Sequence, residues 1–445
     1  MGDRGTRRGW RLAAGLALGG GLAIGRWLSL ETGALPVAVA LAALTVLPVF
    51  PIVIAGRARR PGYGTGLAQP TVSVVVAARD EARVIGRLVT DLAAQDHLAT
   101  DGRPDFELIV IDDRSVDGTA ATAVAAAQAA GFDGLRVVRR AGSDLPDGKG
   151  AALAAVPPTA CRGDVVVVLD ADARVGPAFL STLAAHVARG AVAIAPRRRT
   201  AGASGSLLAA AQAVEQVEDG VLQSGRHALG GCSEFRGNGI TIRRDVLEAV
   251  GGWRAGALTE DLDLSSRMAA ATGETVLWLI DAPVDEDPVR GLRALVRQRV
   301  RWSEGSIRRL LEHGPAVMTS RRLSLGARLD FALYGVQPVA VPVVCGAAGG
   351  IAFGGSAAPL LLLVAGYVTA AGILAWVGVG REAAHDSRSI EPLRRAALSL
   401  TGAIFSAIWL VAVPWALWRL ATRRGAVRYE KMEHGEALAV GPPAG

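Results

Sequence analysis

Cysteine is scarce in this sequence, and its three copies are scattered. Cys161, Cys232 and Cys345 stand far apart in a chain of 445 residues, and no two of them have the spacing of metal ligands. An odd, dispersed set is unlike a disulfide framework and is typical of proteins that fold in a reducing compartment. The sequence therefore argues against a disulfide-stapled scaffold and a cysteine-based metal site.

Nucleic-acid-binding motifs are also absent, although the chain carries a net charge of +7. Most of the basic residues are arginines, and they cluster beside apolar runs. This distribution is typical of membrane proteins, whose cytoplasmic flanks are positively charged, so no nucleic-acid partner is expected. Few polar residues lie inside the apolar runs beyond Arg26 and Gln337. A transporter or channel would need more of them, which disfavours that class.

Apolar residues make up 51% of the chain and the mean hydropathy is +0.32, yet 20% of the residues are charged. A soluble domain joined to membrane spans explains these values together. The long apolar runs lie near both ends of the chain, at residues 12–28, 33–55, 329–353, 359–380 and 398–420.

We expect a multi-pass protein of the cell membrane. The predicted regions are an N-terminal transmembrane hairpin (1–60), an α/β domain (61–315), an interfacial helix or linker (316–328), C-terminal transmembrane segments (329–420) and a basic cytoplasmic tail (421–445). Basic residues on both flanks of the hairpin place the α/β domain in the cytoplasm. Three full spans after that domain would put the basic tail outside. The last run contains Pro414, so a crossing, a re-entrant and an interfacial segment all stay open.

The middle of the chain alternates β-branched runs with helical patterns. Strands are predicted at 71–78, 106–111, 135–138 and 164–169, and helices at 81–94 and 119–130. This alternation predicts a mostly parallel sheet with helices on both faces. Ligands of such sheets bind at the carboxyl ends of the strands, and a site is expected there.

Acidic residues follow the first two predicted strands. Glu81 comes after the first, and Asp112 and Asp113 end the second. Carboxylates at these ends can accept hydrogen bonds from a nucleoside base or ribose. The alternative is turn and helix-cap chemistry, with Ser115 or Asp117 as the cap. The residues alone leave both interpretations open.

A pair of acidic residues, Asp170-Ala-Asp172, follows four consecutive valines and a leucine. Residues i and i+2 leaving a strand project to the same side. Two carboxylates there can hold a hard cation such as Mg²⁺ or Mn²⁺, which a diphosphate also coordinates. Without a partner they would be costly at the end of a buried strand. We therefore expect a divalent-metal site at Asp170 and Asp172.

Two further motifs lie at predicted helix starts. Lys149 stands between glycines, where it suits a nucleotide phosphate. Thr259, Glu260 and Asp261 precede a helical stretch, with Thr259 as the expected cap and Asp261 as a candidate general base. The ordinary alternatives are a solvated turn and a capped helix.

A third motif, Gln298-Arg-Val-Arg-Trp302, lies within a helical stretch. Gln298, Arg301 and Trp302 can share one face at this spacing. The arginine can neutralise a departing diphosphate, and the indole can stack on a sugar ring. An amphipathic helix at the membrane surface is the alternative, and both interpretations can hold together.

Taken in order, these residues resemble the signature of membrane-bound family-2 glycosyltransferases, which include cellulose, hyaluronan and poly-N-acetylglucosamine synthases and glycolipid-making relatives. That signature is an Asp, then Asp-x-Asp, Thr-Glu-Asp and Gln-x-x-Arg-Trp, with membrane helices on both sides. The resemblance covers about residues 70–315. It implies a GT-A fold, a nucleotide-sugar donor, inversion at the anomeric carbon and Mg²⁺ or Mn²⁺ as cofactor.

The resemblance also implies a role for each matching residue. These roles are catalysis by Asp261 as base, with Glu260 and with Arg301 at the leaving group; donor binding by Glu81, Asp112, Asp113, Lys149 and Asp170; metal binding by Asp170 and Asp172; and acceptor binding by Gln298 and Trp302.

Two local features favour the glycolipid-making relatives. Phe235-Arg-Gly-Asn-Gly239 lacks the Cys-Gly pattern of cellulose synthases. The segment after Arg301 and the tail Arg428-Tyr-Glu-Lys-Met-Glu-His-Gly435 are similar to β-monoglucosyldiacylglycerol synthases, although Tyr429 and Met432 replace the more usual Trp and Thr. We expect a hexose, from UDP-glucose, to be transferred to a lipid such as diacylglycerol. A processive synthase that secretes a β-linked polysaccharide is the alternative.

Overall fold

The computed structural model describes most of the chain. The described residues are 2–56, 69–142, 146–354 and 357–422. The basic flank at 57–60 and the tail motif at 428–435 lie outside these ranges.

Eight strands form one sheet in the described part of the chain. In chain order they are β1 (Val72–Ala78), β2 (Phe106–Asp113), β3 (Leu135–Arg140), β4 (Val165–Asp170), β5 (Arg174–Val175), β6 (Ala193–Thr200), β7 (Ile240–Arg243) and β8 (Leu277–Glu286). The first four are the predicted strands, with ends that differ by at most two residues. Their continuous valine and isoleucine runs suit strands covered on both faces.

The sheet is mixed, with a parallel half that carries the predicted site. β3, β2, β1 and β4 lie side by side and run parallel, whereas β7, β6, β8 and β5 continue the sheet in both directions. The register pairs Ala78 with Asp112 and Ala77 with Asp170. The carboxyl ends of β1, β2 and β4 therefore meet at one edge.

Helices cover both faces of the sheet and flank it in the chain. In chain order they are α1 (Gly2–Glu31), α2 (Ala34–Val46), α3 (Val49–Ala55), α4 (Ile85–Ala93), α5 (Thr119–Ala129), α6 (Lys149–Leu153), α7 (Phe179–Ala188), α8 (Leu207–Ala228), α9 (Arg244–Ala249), α10 (Glu260–Thr272), α11 (Leu292–Thr319), α12 (Leu325–Tyr334), α13 (Gln337–Phe353), α14 (Ala357–His385), α15 (Pro392–Phe405) and α16 (Trp409–Thr422).

Two apolar cores lie on opposite faces of the sheet. Val110 belongs to one, together with Leu88 of α4, and Ile109 belongs to the other, together with Leu153 of α6. Neighbouring residues of a strand point to opposite faces, so a continuous apolar strand supplies both cores.

The helix predicted at 81–94 begins later, at Ile85. The N–H of Glu81 donates to Thr119 Oγ1 (2.8 Å), and that of Ala82 donates to Asp117 Oδ2 (3.0 Å). These side chains hold residues 81–84 in a turn. The predicted start was wrong because a neighbouring loop supplies acceptors that a helical pattern does not reveal.

Apolar helices flank the α/β domain. Within the described ranges, four helical segments are long and apolar enough to cross a membrane: Arg8–Glu31, Ala34–Ala55, Ala357–His385 and Pro392–Thr422. The pair α12 and α13, bent by 43°, would make a fifth. The predicted linker at 316–328 contains the end of α11 and the start of α12.

Glycines bring α1 and α13 close together. A Cβ on Gly25 would lie 2.0 Å from the carbonyl oxygen of Val343, and one on Gly346 would lie 2.3 Å from that of Leu22. Small residues at such contacts let helix backbones approach, which is how apolar helices gain packing energy in a bilayer.

One end of α14 is fixed to the sheet. Arg197 of β6 is 2% exposed, and its Nη2 donates to Asp386 Oδ1 (2.8 Å) while its Nη1 lies 3.7 Å from Glu382 Oε2. A buried arginine requires such partners. The cationic strand residue and the acidic helix end therefore join the α/β domain to the helical bundle.

The last apolar segment, α15 with α16, has both ends on the side of the α/β domain. At its start, Arg395 Nη2 donates to the carbonyl oxygen of Trp376 in the second half of α14 (2.6 Å). At its end, Arg419 Nε lies 3.7 Å from Glu304 Oε2 of α11, and Arg11 Nε donates to the last turn (3.1 Å). These contacts favour a segment that returns over one that crosses.

We expect cysteines introduced at Ser389 and Thr422 to react with a membrane-impermeant maleimide from the same side of the membrane. A cysteine at Thr32, at the far end of α1, should react from the opposite side. The measurement uses sealed vesicles of known orientation and a variant without its native cysteines. Reaction of Thr422→Cys from the Thr32 side would mean that the last segment crosses.

Candidate functional site

A cavity of ≈ 1530 Å³ opens at the carboxyl ends of β1, β2 and β4 and continues between the apolar helices. Every site residue predicted from the sequence lines it except Asp112: Glu81, Asp113, Lys149, Asp170, Asp172, Glu260, Asp261, Gln298, Arg301 and Trp302. Segments up to about 220 residues apart in the sequence thus meet around one space.

The two adjacent acids of β2 differ in their surroundings. Asp112 is buried, does not line the cavity, and accepts from the N–H of Ser115 through Oδ1 (3.1 Å). Its contact is the turn chemistry that was the alternative to nucleotide binding. Asp113 lines the cavity and pairs with Arg114 (2.9 Å) and Arg140 (2.7 Å). Of the two, only Asp113 is placed to contact a ligand there.

The loops after β1 and β2 hold each other in place. Asp80 (φ 52°) and Arg114 (φ 62°) adopt left-handed backbone conformations, which side chains disfavour. The N–H of Asp80 donates to Ser115 Oγ (3.0 Å), and Asp117 accepts from the N–H of Thr119 at the start of α5 (3.0 Å). Asp117 therefore has the turn role that was one of the two interpretations, whereas the cap predicted at Ser115 or Asp117 was wrong, because Gly118 occupies the N-cap position of α5. These bonds fix the loop that carries Glu81.

Asp170 and Asp172 lie at the end of β4, as the sequence predicted. Burial, followed by the charges of Asp170, Glu286 and Asp287, raises the pKa of Asp172 well above its usual value. The negative charge concentrated around Asp172 would favour a bound cation. In the described residues no group of three or more His, Cys, Asp or Glu side chains has metal-binding geometry. A metal ion held by the two aspartates would complete its coordination with other oxygen ligands, such as water or a bound phosphate.

Lys149 connects the acidic pair to the next motif. Its Nζ donates to Asp170 Oδ1 (2.5 Å) and to the carbonyl oxygen of Gly237 (2.6 Å), and lies 3.5 Å from Glu260 Oε1. Burial disfavours the charged amine, but Asp170 and Glu260 outweigh burial and raise the pKa of Lys149. The lysine is thus a fixed positive charge at the centre of the site.

Glu260 and Asp261 form the first turn of α10. Thr259 occupies the N-cap position, but its hydroxyl makes no capping hydrogen bond, so the expected cap chemistry is missing. Burial, and then the charge of Glu260, raises the pKa of Asp261 to about 6. A carboxylate with this pKa is ionised near neutral pH and is more basic than an exposed one, which suits a general base.

A buried ionic network supports the loop around Gly237. Glu234 Oε1 lies 2.7 Å from Arg309 Nη1, and Glu234 Oε2 lies 3.4 Å from Arg236 Nη1. Arg236 also pairs with Asp219 (2.8 Å). Burial alone would raise the pKa of Glu234, but these arginines outweigh it and lower that pKa. Every charge here has a partner, which buried charges require.

Sequence reasoning missed Asn238, which links two sides of the site. Its Oδ1 accepts from the N–H of Asp170 (3.1 Å), and its Nδ2 donates to Glu286 Oε2 (3.2 Å). Asn238 lies in the Phe235-to-Gly239 motif, which had served only to compare subgroups. A polar residue flanked by glycines was the available signal for a role in the site.

The far part of the cavity is apolar. It is lined there by aliphatic side chains of α13, α14 and α16: Val344, Leu363, Leu374, Leu410 and Val413. This wall also contains three polar residues, Glu218, Tyr367 and Ser406. They bond to each other: Glu218 Oε2 accepts from Ser406 Oγ (2.8 Å), and the Tyr367 hydroxyl donates to the carbonyl oxygen of Ser406 (2.5 Å). A ligand that is polar at one end and apolar at the other matches these two parts.

The start of α10 is held by close packing against α11. A Cβ on Gly305 would lie 2.2 Å from Thr259 Cγ2, whereas the nearest atom to one on Gly314 of the same helix is Leu310 Cδ1, at 3.8 Å. Gly305 therefore sets how closely the Thr259–Asp261 turn approaches α11.

We expect Gly305→Ala to lower the free energy of unfolding by about 1–3 kcal/mol, the usual cost of overpacking. Gly314→Ala should change it by about 1 kcal/mol or less, because the helix propensity that alanine adds is opposed by the following Pro315, which disfavours a Cβ on the helical residue before it. Thermal unfolding of the purified variants in detergent measures both. An equal effect of the two substitutions would contradict the role of the Gly305–Thr259 contact.

Comparisons with known proteins agree with this geometry. A family model described as glycosyltransferase like family 2 matches residues 70–305, which is more than half of the chain. A beta-monoglucosyldiacylglycerol synthase of Synechocystis sp. is 30% identical over 382 residues, covering 84% of this chain and 77% of the relative. One from Nostoc sp. is 34% identical over 253 residues, or 57% of this chain and 52% of the relative.

Among solved structures, the mannosyltransferase PcManGT from Pyrobaculum calidifontis, in complex with GDP-Man and Mn²⁺, superposes with a TM-score of 0.56 at 20% identity. The match covers 85% of this chain and 97% of that one. It confirms the predicted Rossmann-like GT-A fold. Together with the family model and the Synechocystis relative, it leads to one conclusion: the chain belongs to glycosyltransferase family 2.

Proposed function

We propose that this protein transfers a hexose from a nucleotide sugar, with UDP-glucose as the expected donor, to a lipid acceptor such as diacylglycerol, with inversion at the anomeric carbon. The main support for this proposal is the lining of the cavity. Acidic and basic side chains line it at the strand ends, and aliphatic side chains line it between α13, α14 and α16. A diacylglycerol offers one hydroxyl and two long chains, which match the two parts. The names of the Synechocystis and Nostoc relatives support the same acceptor.

We place the catalytic domain in the cytoplasm, on the inner side of a cell membrane that the apolar helices cross. Arg11 and Arg419 lie at helix ends on the side of this domain. Arginines on this side agree with the preference of basic residues for the cytoplasmic flank.

In the proposed mechanism Asp261 accepts the proton of the acceptor hydroxyl as the oxygen attacks the anomeric carbon. Burial, and then the charge of Glu260 beside it, raises its pKa and gives it the basicity for this step. The acceptor oxygen displaces the diphosphate in a single step, which inverts the carbon. Gln298 and Trp302 hold the acceptor, and both line the cavity.

The leaving diphosphate needs positive charge around it. We assign this role to Arg301 and Lys149, which line the cavity, while Glu81, Asp113 and Asp170 contact the rest of the donor. Asp112 supports this region through its turn. Asp170 and Asp172 would hold Mg²⁺ or Mn²⁺, and the ion would neutralise negative charge on the diphosphate.

The proposed function is tested first with a donor-and-acceptor screen on the purified protein in lipid. UDP-glucose, UDP-galactose, UDP-N-acetylglucosamine and GDP-mannose are offered with and without diacylglycerol and Mn²⁺, and the products are read by mass. We expect one lipid product that carries a single hexose. A ladder of oligosaccharides made without diacylglycerol would instead identify a polysaccharide synthase.

Asp261→Asn should reduce transfer by about 10²–10⁴-fold, the usual contribution of a general base, and leave donor binding nearly unchanged. In the wild type, kcat/KM should fall about tenfold per pH unit below about 6, because protonation of Asp261 removes the base. Asp263→Asn is the control, since Asp263 does not line the cavity and pairs with Arg254 and Arg267. Loss of donor binding in Asp261→Asn would indicate a structural role instead.

Asp172→Asn should abolish metal-dependent donor binding, because one of the two carboxylates of the cation site is lost. The wild type should lose transfer in a chelator and regain it with Mg²⁺ or Mn²⁺. Titration of the donor with and without the ion measures this, and Asp101→Asn, at an exposed aspartate, is the control. Full activity of the wild type in the chelator would refute the metal site.

A further inference from the structure

Arg299 stands inside the Gln298-to-Trp302 motif, at a position to which the sequence assigned no function. It is 3% exposed, whereas Arg293 and Arg297 in the preceding turns of the same helix are exposed. Burying a guanidinium is costly unless its donors are satisfied. The contacts of this side chain are therefore informative.

The carboxylate of Glu215 in α8 holds Arg299 with two parallel hydrogen bonds. Arg299 Nε donates to Glu215 Oε1 (3.0 Å), and Arg299 Nη2 donates to Glu215 Oε2. Trp409 Nε1 of α16 donates to the same Oε1 (3.0 Å). Bidentate pairing fixes the plane of the guanidinium, and the indole N–H fixes the carboxylate. Three helices, α8, α11 and α16, thus set the position of Arg299.

The third nitrogen of the guanidinium orients Gln298. Arg299 Nη1 donates to Gln298 Oε1. Because a guanidinium only donates, the atom that it contacts must be the amide oxygen. The amide nitrogen of Gln298 is thereby left to donate to another group, and Gln298 lines the cavity. Arg299 therefore selects which end of this amide a ligand meets.

The plane of the guanidinium also covers Trp302. The Arg299 guanidinium carbon lies 4.2 Å from the centroid of the Trp302 ring, which is the distance of a stacked cation–π contact. Trp302 lines the cavity as well. One face of its indole is thus taken by the arginine, so a ligand in the cavity can contact only the rest of the ring.

We propose that Arg299, held by Glu215, is a positioning residue for acceptor binding, which fixes the Gln298 amide and the Trp302 indole in the orientation that the acceptor needs. This inference rests on the proposed function, in which Gln298 and Trp302 hold the acceptor. Arg299 acts through these two side chains and takes no part in the displacement itself.

The test compares Arg299→Met with the double variant Arg299→Met/Glu215→Gln. The single variant loses the stack and the amide contact and leaves the Glu215 carboxylate buried without its cation, so its thermal midpoint should fall and its KM for diacylglycerol should rise about tenfold or more. The dissociation constant for the nucleotide sugar should stay unchanged. The double variant also removes the negative charge of Glu215, and the glutamine there still offers an oxygen that accepts from Trp409. Its thermal midpoint should therefore recover while its KM for diacylglycerol stays high.

Recovery of KM together with the thermal midpoint in the double variant would overturn the proposal, because it would show that Arg299 only stabilises the fold. An unchanged KM in the single variant would overturn it as well. Arg197→Met is the matched control. Arg197 is also buried, pairs with Asp386 (2.8 Å) and lies 3.7 Å from Glu382 of α14, but it does not line the cavity. Its loss should lower the thermal midpoint and leave KM unchanged.

The wild type tests the proposed function separately. If that function is wrong, the wild type will form no hexosyl lipid. If the wild type extends a glycan instead, the same variants are compared by their KM for that glycan. The role of Arg299 then stands if the KM rises and is refuted if it does not.

Discussion

The site depends on one ammonium group. Lys149 lies between the carboxylates of Asp170 and Glu260, so it joins the end of a parallel strand to the first turn of α10. Without it, the carboxylates of the two motifs would face each other across a buried space, and their mutual repulsion would raise the free energy of the fold. The carbonyl oxygen of Gly237 shares the same ammonium and brings in the loop that Glu234 and its arginines support. The sheet edge, the start of α10 and the ionic network are thus built around a single positive charge.

Much of this arrangement follows from the sequence, because local patterns determine it. Buried parallel strands need continuous β-branched runs, and their carboxyl ends must meet, so Asp113 and Asp170 could be placed at one edge. The different surroundings of Asp112 and Asp113 could not be predicted. They depend on a turn in which the N–H of Ser115 donates to Asp112, and the local pattern does not reveal that turn. Contacts between segments that are distant in the sequence could not be predicted either. Glu215 and Arg299 are 84 residues apart, and nothing in either segment specifies the other.

In the apolar helices, hydropathy alone does not decide whether a segment crosses the membrane or returns to the same side. An apolar run of sufficient length can cross a bilayer or return, and the cost of burial is similar for both. What decides between them is the partner of each polar group at the ends of the run. Arg395 and Arg419 find theirs on the side of the catalytic domain, and the partner of Arg419, Glu304, lies far away in the sequence. The contacts at those ends favour a segment that both enters and leaves near the site, and this segment forms part of the cavity wall.

The polar partners of this last segment carry a consequence for biogenesis. Trp409, Ser406 and Arg419 bond to Glu215, Glu218 and Glu304, which are all translated earlier. The segment therefore acquires its contacts only on a catalytic domain whose α8 and α11 are already in place. Until it docks, the apolar half of the cavity lacks one wall and lies open to lipid. A nascent chain that ends before this segment thus has the polar part of the cavity at the strand ends without the wall that α16 supplies.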